Sequence, residues 1–311
     1  MKVRAASIRD LAGVEQLYTQ SGEQSGVAPP AARLWSLVSH TMSALLPLYL
    51  ETLLFVAEEG GRLIGFIQAS ARPPGINLPV ATSLQVLNVC VADGVDPEEV
   101  APALVDHLCN QALLRGVRRL FVRLPIDDPL IAVFRMQGFR QYASEHLLYS
   151  ESPAVLREGE VDGLRSPRGR DVALLYQLYR KVTPMRVAQV EAPTLKEWRA
   201  MRIKADQQLV LDRIELLGWL HVQRGSSTSP HTLSFLALPE DPVPDELADH
   251  AIQLLESRPG PVWSSLRHYD SHMIDALRGR GFSTLLTQSL MVKELAVRVP
   301  LPEKGLVPSF G

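Results

Sequence analysis

The stretch Phe55-Val56-Ala57-Glu58-Glu59-Gly60-Gly61-Arg62-Leu63-Ile64-Gly65-Phe66 reads as a β-hairpin. One strand covers Leu53 to Ala57, a turn falls at Glu59-Gly60-Gly61, and a return strand covers Leu63 to Ala69. The return strand has a counterpart far down the chain, where Leu216-Leu217-Gly218-Trp219 repeats Leu63-Ile64-Gly65-Phe66. A second pair of landmarks follows in the same order, Gln137-Gly138-Phe139 and then Arg280-Gly281-Phe282. Matching landmarks in matching order predict an internal duplication.

Working outward from the hairpin, Lys2 to Ala6 is a strand, and Ser7 or Asp10 can cap a helix with Leu11, Val14, Leu17 and Tyr18 on one face. Ser21 to Val27 reads as a loop, and Ala31 to Tyr49 as a helix that ends or kinks near Leu46, ahead of Pro47. Its apolar residues, Leu34, Trp35, Leu37, Val38, Met42, Leu45 and Leu46, suit a core, a seam between copies or a ligand pocket. After a Pro and Gly rich connection at Arg72 to Pro79 come a strand at Leu84 to Val91, a helix at Glu98 to Leu114 stopped by Gly116, and a strand at Val117 to Leu124. A short helix from Pro129 to Gln137 and a strand ending near Tyr149 complete the unit. The order β-α-α-β-β-β-α-β-α-β requires at least one parallel crossover.

A boundary falls at Glu151 to Glu160, so the expected units are residues 1–152 and 153–298, with a loosely packed tail at 299–311. The second unit reads as helices from Asp171 and over Thr194 to Lys204, strands around Arg213 to Val222 within Gln208 to Val222 and at His231 to Leu238, a helix at Asp245 to Glu256, a strand at Pro261 to Arg267, a helix at Asp270 to Arg278 and a closing strand at Ser283 to Lys293. The expected class is therefore α/β, of mixed α+β kind, in two tandem copies.

Composition narrows the function. With 32 Lys and Arg against 34 Asp and Glu, no long-range field favours nucleic acid or an anionic membrane. No apolar run is long enough to span a bilayer, and Met1-Lys2-Val3-Arg4 leads into polar sequence, so a soluble cytoplasmic protein is expected. Cys90 and Cys109 lie in apolar segments and read as small buried hydrophobes. His107 beside Asp106, His146 beside Glu145, and His250, His268 and His272 have no metal-ligand spacing, so no metal is expected.

Together Val3-Arg4-Ala5-Ala6, Ile8-Arg9-Asp10-Leu11, the hairpin, Leu87-Asn88-Val89-Cys90-Val91, the helix leading into Arg119-Leu120-Phe121-Val122, and Phe134-Arg135-Met136-Gln137-Gly138-Phe139 resemble the GNAT superfamily of acyl-CoA-dependent N-acetyltransferases over nearly all of residues 1–150. From about Gly169 to Lys293 the likeness rests on element order, Gly218-Trp219 and Gly281-Phe282. The resemblance implies a curved mixed sheet flanked by helices in each copy, split into a V between its central strands. It also implies acetyl-CoA or another acyl-CoA in that opening, held by the backbone at Val89, Val91 and Gly94, with a small-molecule amine or another protein as partner and oligomerisation left open.

Departures from the family pattern stand beside it. The turn that should cradle phosphate is Ala92-Asp93-Gly94-Val95-Asp96-Pro97-Glu98-Glu99, with four carboxylates and no Arg or Lys. Its second-copy counterpart, Pro239-Glu240-Asp241-Pro242-Val243-Pro244-Asp245-Glu246, has no Gly and three prolines. Where the family often places a proton-donating Tyr stand Phe134 and Leu277, so the catalytic residues are left unassigned. Asp127 and Asp270 are read as helix caps, Glu58 and Glu59 as turn carboxylates near the acceptor side, and Arg115, Arg118, Arg119 and Arg123 as a solvated face or a phosphate or protein contact. Tyr269-Asp270-Ser271-His272 suits a cleft or a capped helix equally. Two functions follow, an N-acyltransferase and a noncatalytic small-molecule or protein binding module.

Overall fold

The computed structural model describes residues 1–25, 52–72, 81–157, 159–201, 207–225, 230–257 and 260–295. The expected helix at Ala31 to Tyr49, most of the connection after Arg72 and the tail lie outside them. The first copy contains β1 (Lys2–Ala5), α1 (Leu11–Ser25), β2 (Thr52–Glu59), β3 (Arg62–Ala71), β4 (Ser83–Val91), α2 (Pro97–Leu114), β5 (Arg119–Pro125), α3 (Leu130–Met136) and β6 (Arg140–Ser150). The second contains β7 (Leu164–Arg165), α4 (Asp171–Val182), α5 (Met185–Glu191), α6 (Leu195–Met201), β8 (Gln208–Asp212), β9 (Leu216–Gln223), β10 (His231–Ala237), α7 (Val243–Gln253), β11 (Val262–Arg267), α8 (Ser271–Arg278) and β12 (Ser283–Glu294).

The twelve strands among the described residues form one sheet, in the order β1-β2-β3-β4-β5-β12-β6-β11-β10-β9-β8-β7. If β7 to β12 are matched to β1 to β6, this order reads identically from either end. The duplication is thus a pseudo-twofold arrangement centred between β12 and β6. The closing strands are exchanged: β12 of the second copy pairs with β5 of the first, and β6 of the first pairs with β11 of the second. The two exchanged strands also pair antiparallel with each other.

Side-chain detail repeats too. Arg4 donates to both carboxylate oxygens of Asp10 at 2.7 and 2.8 Å and to Glu58 at 2.8 Å. Arg165 does the same with Asp171 at 2.6 and 3.0 Å and with Asp212 at 2.5 Å. Each network ties the copy's first strand to its first helix and to the following strand, and each holds its aspartate well below the usual carboxylate range, chiefly through the arginine hydrogen bonds. Gly65 and Gly218 also share a reason. A Cβ on Gly65 would lie 2.9 Å from the Cys90 carbonyl oxygen, and one on Gly218 would lie 2.5 Å from Leu247 Cδ1. Both glycines let the helix after the central strand settle against the sheet.

The core follows from sheet faces covered on both sides. In β2, Leu53, Phe55 and Ala57 join the cluster under α2, while Leu54 and Val56 join the one under α1. That is why β2 reads as a continuous apolar run rather than an alternating one. Clusters under α7 and α8 and under α4 to α6 do the same for the second copy. The short helix α5, absent from the sequence reading, crosses the exchange: Val187 packs with Ala143 and Leu290, and Val190 with Phe121 and Val292.

Three local expectations need correction. Ser21 to Ser25 continue α1 rather than opening a loop, because one Gly among Gln, Glu and Ser does not stop a helix. The span Gln208 to Val222 is two strands parted by Arg213-Ile214-Glu215, whose Ile214 is fully exposed. Asp127 does not cap α3; the Leu130 amide donates to Asp128 at 2.8 Å. Cys90 and Cys109 are buried, as expected.

Candidate functional site

Each copy carries a split. Strands β4 and β5 pair in parallel only from Ser83↔Arg119 to Gln85↔Phe121, and β10 and β11 only from His231↔Val262 to Leu233↔Ser264. Past those points the strands part. The Ala92 amide donates to the Ile64 carbonyl and the Leu238 amide to the Leu217 carbonyl, both at 2.9 Å. Antiparallel alternation then turns the backbone of Val89 and Val91, and of Phe235 and Ala237, away from the hairpin and toward the opening.

The turns beyond these edges do not fit a diphosphate. Asp96 caps α2 by accepting the Glu98 amide at 2.8 Å, and its carbonyl accepts the amides of Glu99 and Val100. The amides an anion would need are already engaged, with exposed carboxylates around them. Gly94 has a φ of +77° and sits in that turn with open space beside it. In the second copy Pro242 and Pro244 lack amides, and the Val243 amide donates to the Glu240 carbonyl. Two of the acids there are matched by cations, Asp245 by Arg280 at 2.6 Å and Glu246 by Arg213 at 2.8 Å.

The second split opens into two contiguous cavities. One, of about 140 Å³, lies toward the turn against Pro239, Pro244, His272 and Met273. The other, of about 250 Å³, reaches across the exchanged strands to Arg123, Glu145, Tyr179, Glu191 and Arg267. Val182, Phe235, Leu266, Tyr269 and Asp270 line both. The larger cavity is composite, because Arg123 comes from β5 and Glu145 from β6 of the first copy.

Its wall is a buried ionic cluster. Arg267 pairs with Glu145 and, at 2.6 Å, with Glu191; Arg123 Nε lies 3.4 Å from Glu145, and Arg72 lies 4.0 Å from Glu191. The Tyr142 hydroxyl donates to Glu191 at 3.0 Å. Burial pushes Glu191 up, but Arg267 and Arg72 outweigh it and leave its carboxyl below the ordinary value. Burial and the Glu191 charge push Tyr142 up to about 12, and burial raises Tyr179 and Tyr269 further. Asp270 goes the other way from Glu191: burial lifts its carboxyl to about 6, against the pull of the Arg267 amide and charge. Its side chain does not cap α8; it accepts the Arg267 amide at 3.2 Å. A carboxyl so placed in a cavity wall is suited to proton transfer near neutral pH.

Of the residues singled out from sequence, the cleft gathers Tyr269, Asp270, His272, Arg123 and Glu145. Glu58 is engaged by Arg4, and Glu59 lies 3.3 Å from the amino terminus. His107 packs edge-on against Phe55, His146 meets the Thr287 hydroxyl at 3.0 Å, and His268 is exposed beside the Ser144 carbonyl. Burial lowers His250. No group of three metal-binding side chains occurs among the described residues. Phe134 and Leu277 are fully buried core. The basic group divides: Arg115 bonds Gln111, while Arg119 donates to the Val190 carbonyl and Glu197 in the second copy, an intramolecular protein contact. Sequence reasoning missed Tyr142, Tyr179, Glu191 and Arg267, which carry no motif and converge only through the strand exchange.

No family model matches the sequence, and no curated protein matches it. Solved structures do. The fold, an α/β architecture with a curved mixed sheet in tandem copies, is similar to that of solved structures of GNAT proteins. A GCN5-related N-acetyltransferase from Sphaerobacter thermophilus superposes with a TM-score of 0.65 at 14% identity, over 96% of this chain and 97% of that one. A tandem GNAT protein from the clavulanic acid biosynthesis pathway gives 0.57 at 14% identity, over 96% and 100%. A putative acetyltransferase from Pyrococcus horikoshii gives 0.54 at 13% identity, over 95% and 90%. No helix among the described residues is long and apolar enough to cross a membrane.

Proposed function

We propose that the chain is an N-acyltransferase that works at its second cleft, moving an acyl group from a thioester of the acyl-CoA kind to an amine, while the first copy completes the cavity wall. The observation that carries this reading is the placement of Asp270, a carboxyl lifted to about 6, in a cavity bordered by the strand edge at Phe235 and Ala237. Asp270 takes the proton from the attacking amine. Backbone donors on that edge polarise the thioester carbonyl. Tyr269 stays protonated at neutral pH because burial raises its hydroxyl, and it can return a proton to the leaving sulfur. Because neither turn suits a diphosphate, the donor is gripped through its arm and acyl group. Val89, Val91 and Gly94 belong, in this reading, to a first-copy edge that keeps the fold without the cradle.

Thiol release with an amine library tests the reading. Acyl-CoA and the matching acyl-pantetheine should turn over within a few-fold of each other, and Asp270→Asn should lose about 10²-fold or more. No thiol release with any donor would refute it. The second reading, a noncatalytic small-molecule or protein binder, is favoured by Asp96 occupying the α2 amides and by the proline-rich turn before α7. Calorimetric titration with acetyl-CoA and CoA, with Val89→Pro as a first-copy control, separates the two. Saturable turnover counts against the binder.

A further inference from the structure

Two buried hydrogen-bond donors around the larger cavity are left without an acceptor, and a third, Arg123, is only partly engaged. Tyr179 is 6% exposed, and its hydroxyl has no partner. Arg267 Nε is likewise buried and unpartnered, although the rest of that guanidinium is engaged by Glu145 and Glu191. Arg123 reaches Glu145 through Nε alone, and its side chain is 45% exposed at the cavity mouth. A buried donor without an acceptor is costly, so the two buried ones, Tyr179 and Arg267 Nε, with the half-exposed Arg123 beside them, mark a place for something that accepts.

Arg123 and Arg267 line the cavity opposite Glu145 and Glu191, and Arg72, outside the lining, lies 4.0 Å from Glu191, so each glutamate already has a cation and the free part of Arg123 remains for a ligand. Asp270 stands on the same cavity and provides the opposite charge. A forked guanidinium matches the planar, bidentate geometry of a carboxylate. The cavity, at about 250 Å³, is smaller than the roughly 300–1,000 Å³ typical of drug-sized ligands, which selects a small molecule over a peptide.

We infer that the second cleft recognises a small molecule bearing a carboxylate together with an amine, an amino acid or near analogue, with the carboxylate on Arg123, Arg267 and Tyr179 and the amine toward Asp270. This deepens the acyl-transfer reading by naming its acceptor class and rests on it only for what happens to the amine. A doubly charged phosphate fits less well, because Asp270 would repel it while a zwitterion would meet it with its ammonium end.

The test is calorimetry on the full chain with glycine, serine, glutamate and phenylalanine, their carboxamides, their decarboxylated amines, and inorganic phosphate. At least one amino acid should bind saturably and at least tenfold tighter than its carboxamide. Tyr179→Phe and Arg123→Gln should each shrink that ratio at least fivefold while leaving the urea midpoint near that of the wild type. Equal binding of acid and carboxamide, tighter binding of phosphate than of any acid, or no saturable heat from any amino acid at millimolar concentration would each overturn the inference. Thiol release measured with the same compounds separates the two ideas. Turnover that prefers plain amines sinks the carboxylate site and keeps acyl transfer, whereas tight amino-acid binding without thiol release does the reverse.

Discussion

Replacing Asp270 with Asn should make the protein more stable at neutral pH. Burial raises the Asp270 carboxyl from its ordinary 3.8 to about 6. The unfolded chain therefore releases this proton first, and between those values the native state binds the extra proton. Stability from this group is fully present below about pH 4 and is lost as pH rises through about 6. At about 1.36 kcal/mol per unit, a shift of roughly two units amounts to about 3 kcal/mol of destabilisation at pH 7.5. Asn keeps an oxygen for the Arg267 amide, which donates to Asp270 at 3.2 Å, and removes the charge. Urea unfolding of both proteins at pH 4.5 and 7.5 is the assay, with m-values compared to confirm the same transition. The Asn variant should gain about 2–3 kcal/mol over wild type at pH 7.5 and much less at pH 4.5. An advantage equal at both pH values, or a variant weaker at pH 7.5, would show that Asp270 is held ionised by its surroundings and would remove it as the proton acceptor.

Other consequences follow from particular contacts. Arg280 is 1% exposed and pairs with Asp249, itself 3% exposed, so Arg280→Met should cost about 3–5 kcal/mol in urea unfolding, with Asp249→Asn added to it recovering part of the loss. Gly65→Ala should cost about 1–3 kcal/mol, because the new methyl meets the Cys90 carbonyl and Val100. Gly218→Ala should cost less, since the atom it meets first is the movable tip of Leu247. Residues 1–152 and 153–311 expressed apart should each fail to unfold cooperatively, and expressed together should purify as a one-to-one complex; a half that melts cooperatively as a monomer would contradict the exchanged pairing of β6 and β12.

The hairpin at Gly60-Gly61, the order of elements from β2 to β6 and the correspondence of Gly65 with Gly218 were legible because they depend on local periodicity and on single residues without side chains. The exchange was not. Alternation along Ser283 to Glu294 sets which side chains share a face, yet it fits equally beside β5 or β11, since a strand's own pattern does not name its neighbour. The helix Met185–Glu191 is short and follows a proline, so no period develops. In the site, Tyr269 and Asp270 stood out at a strand end, whereas Tyr179 was indistinguishable from the apolar face of Asp171 to Val182 that it shares with Leu175 and Leu178. Glu145 and Arg267 are ordinary strand residues until β6 and β11 lie side by side.

The placement of β12 between β5 and β6 also sets a timetable for biogenesis. Synthesis runs from the N-terminus, so β5 and β6 are complete while the strand that joins them remains to be made. At about 5–20 residues per second, the ~140 residues separating Ser150 from Glu294 take on the order of ten seconds to emerge. Throughout that interval the nascent sheet exposes two unpaired edges, which are templates for pairing between neighbouring ribosome products. The protein's yield in a cell is therefore tied to translation speed and to chaperone cover over its second half, and a pause late in the message should lower it more than a pause early on.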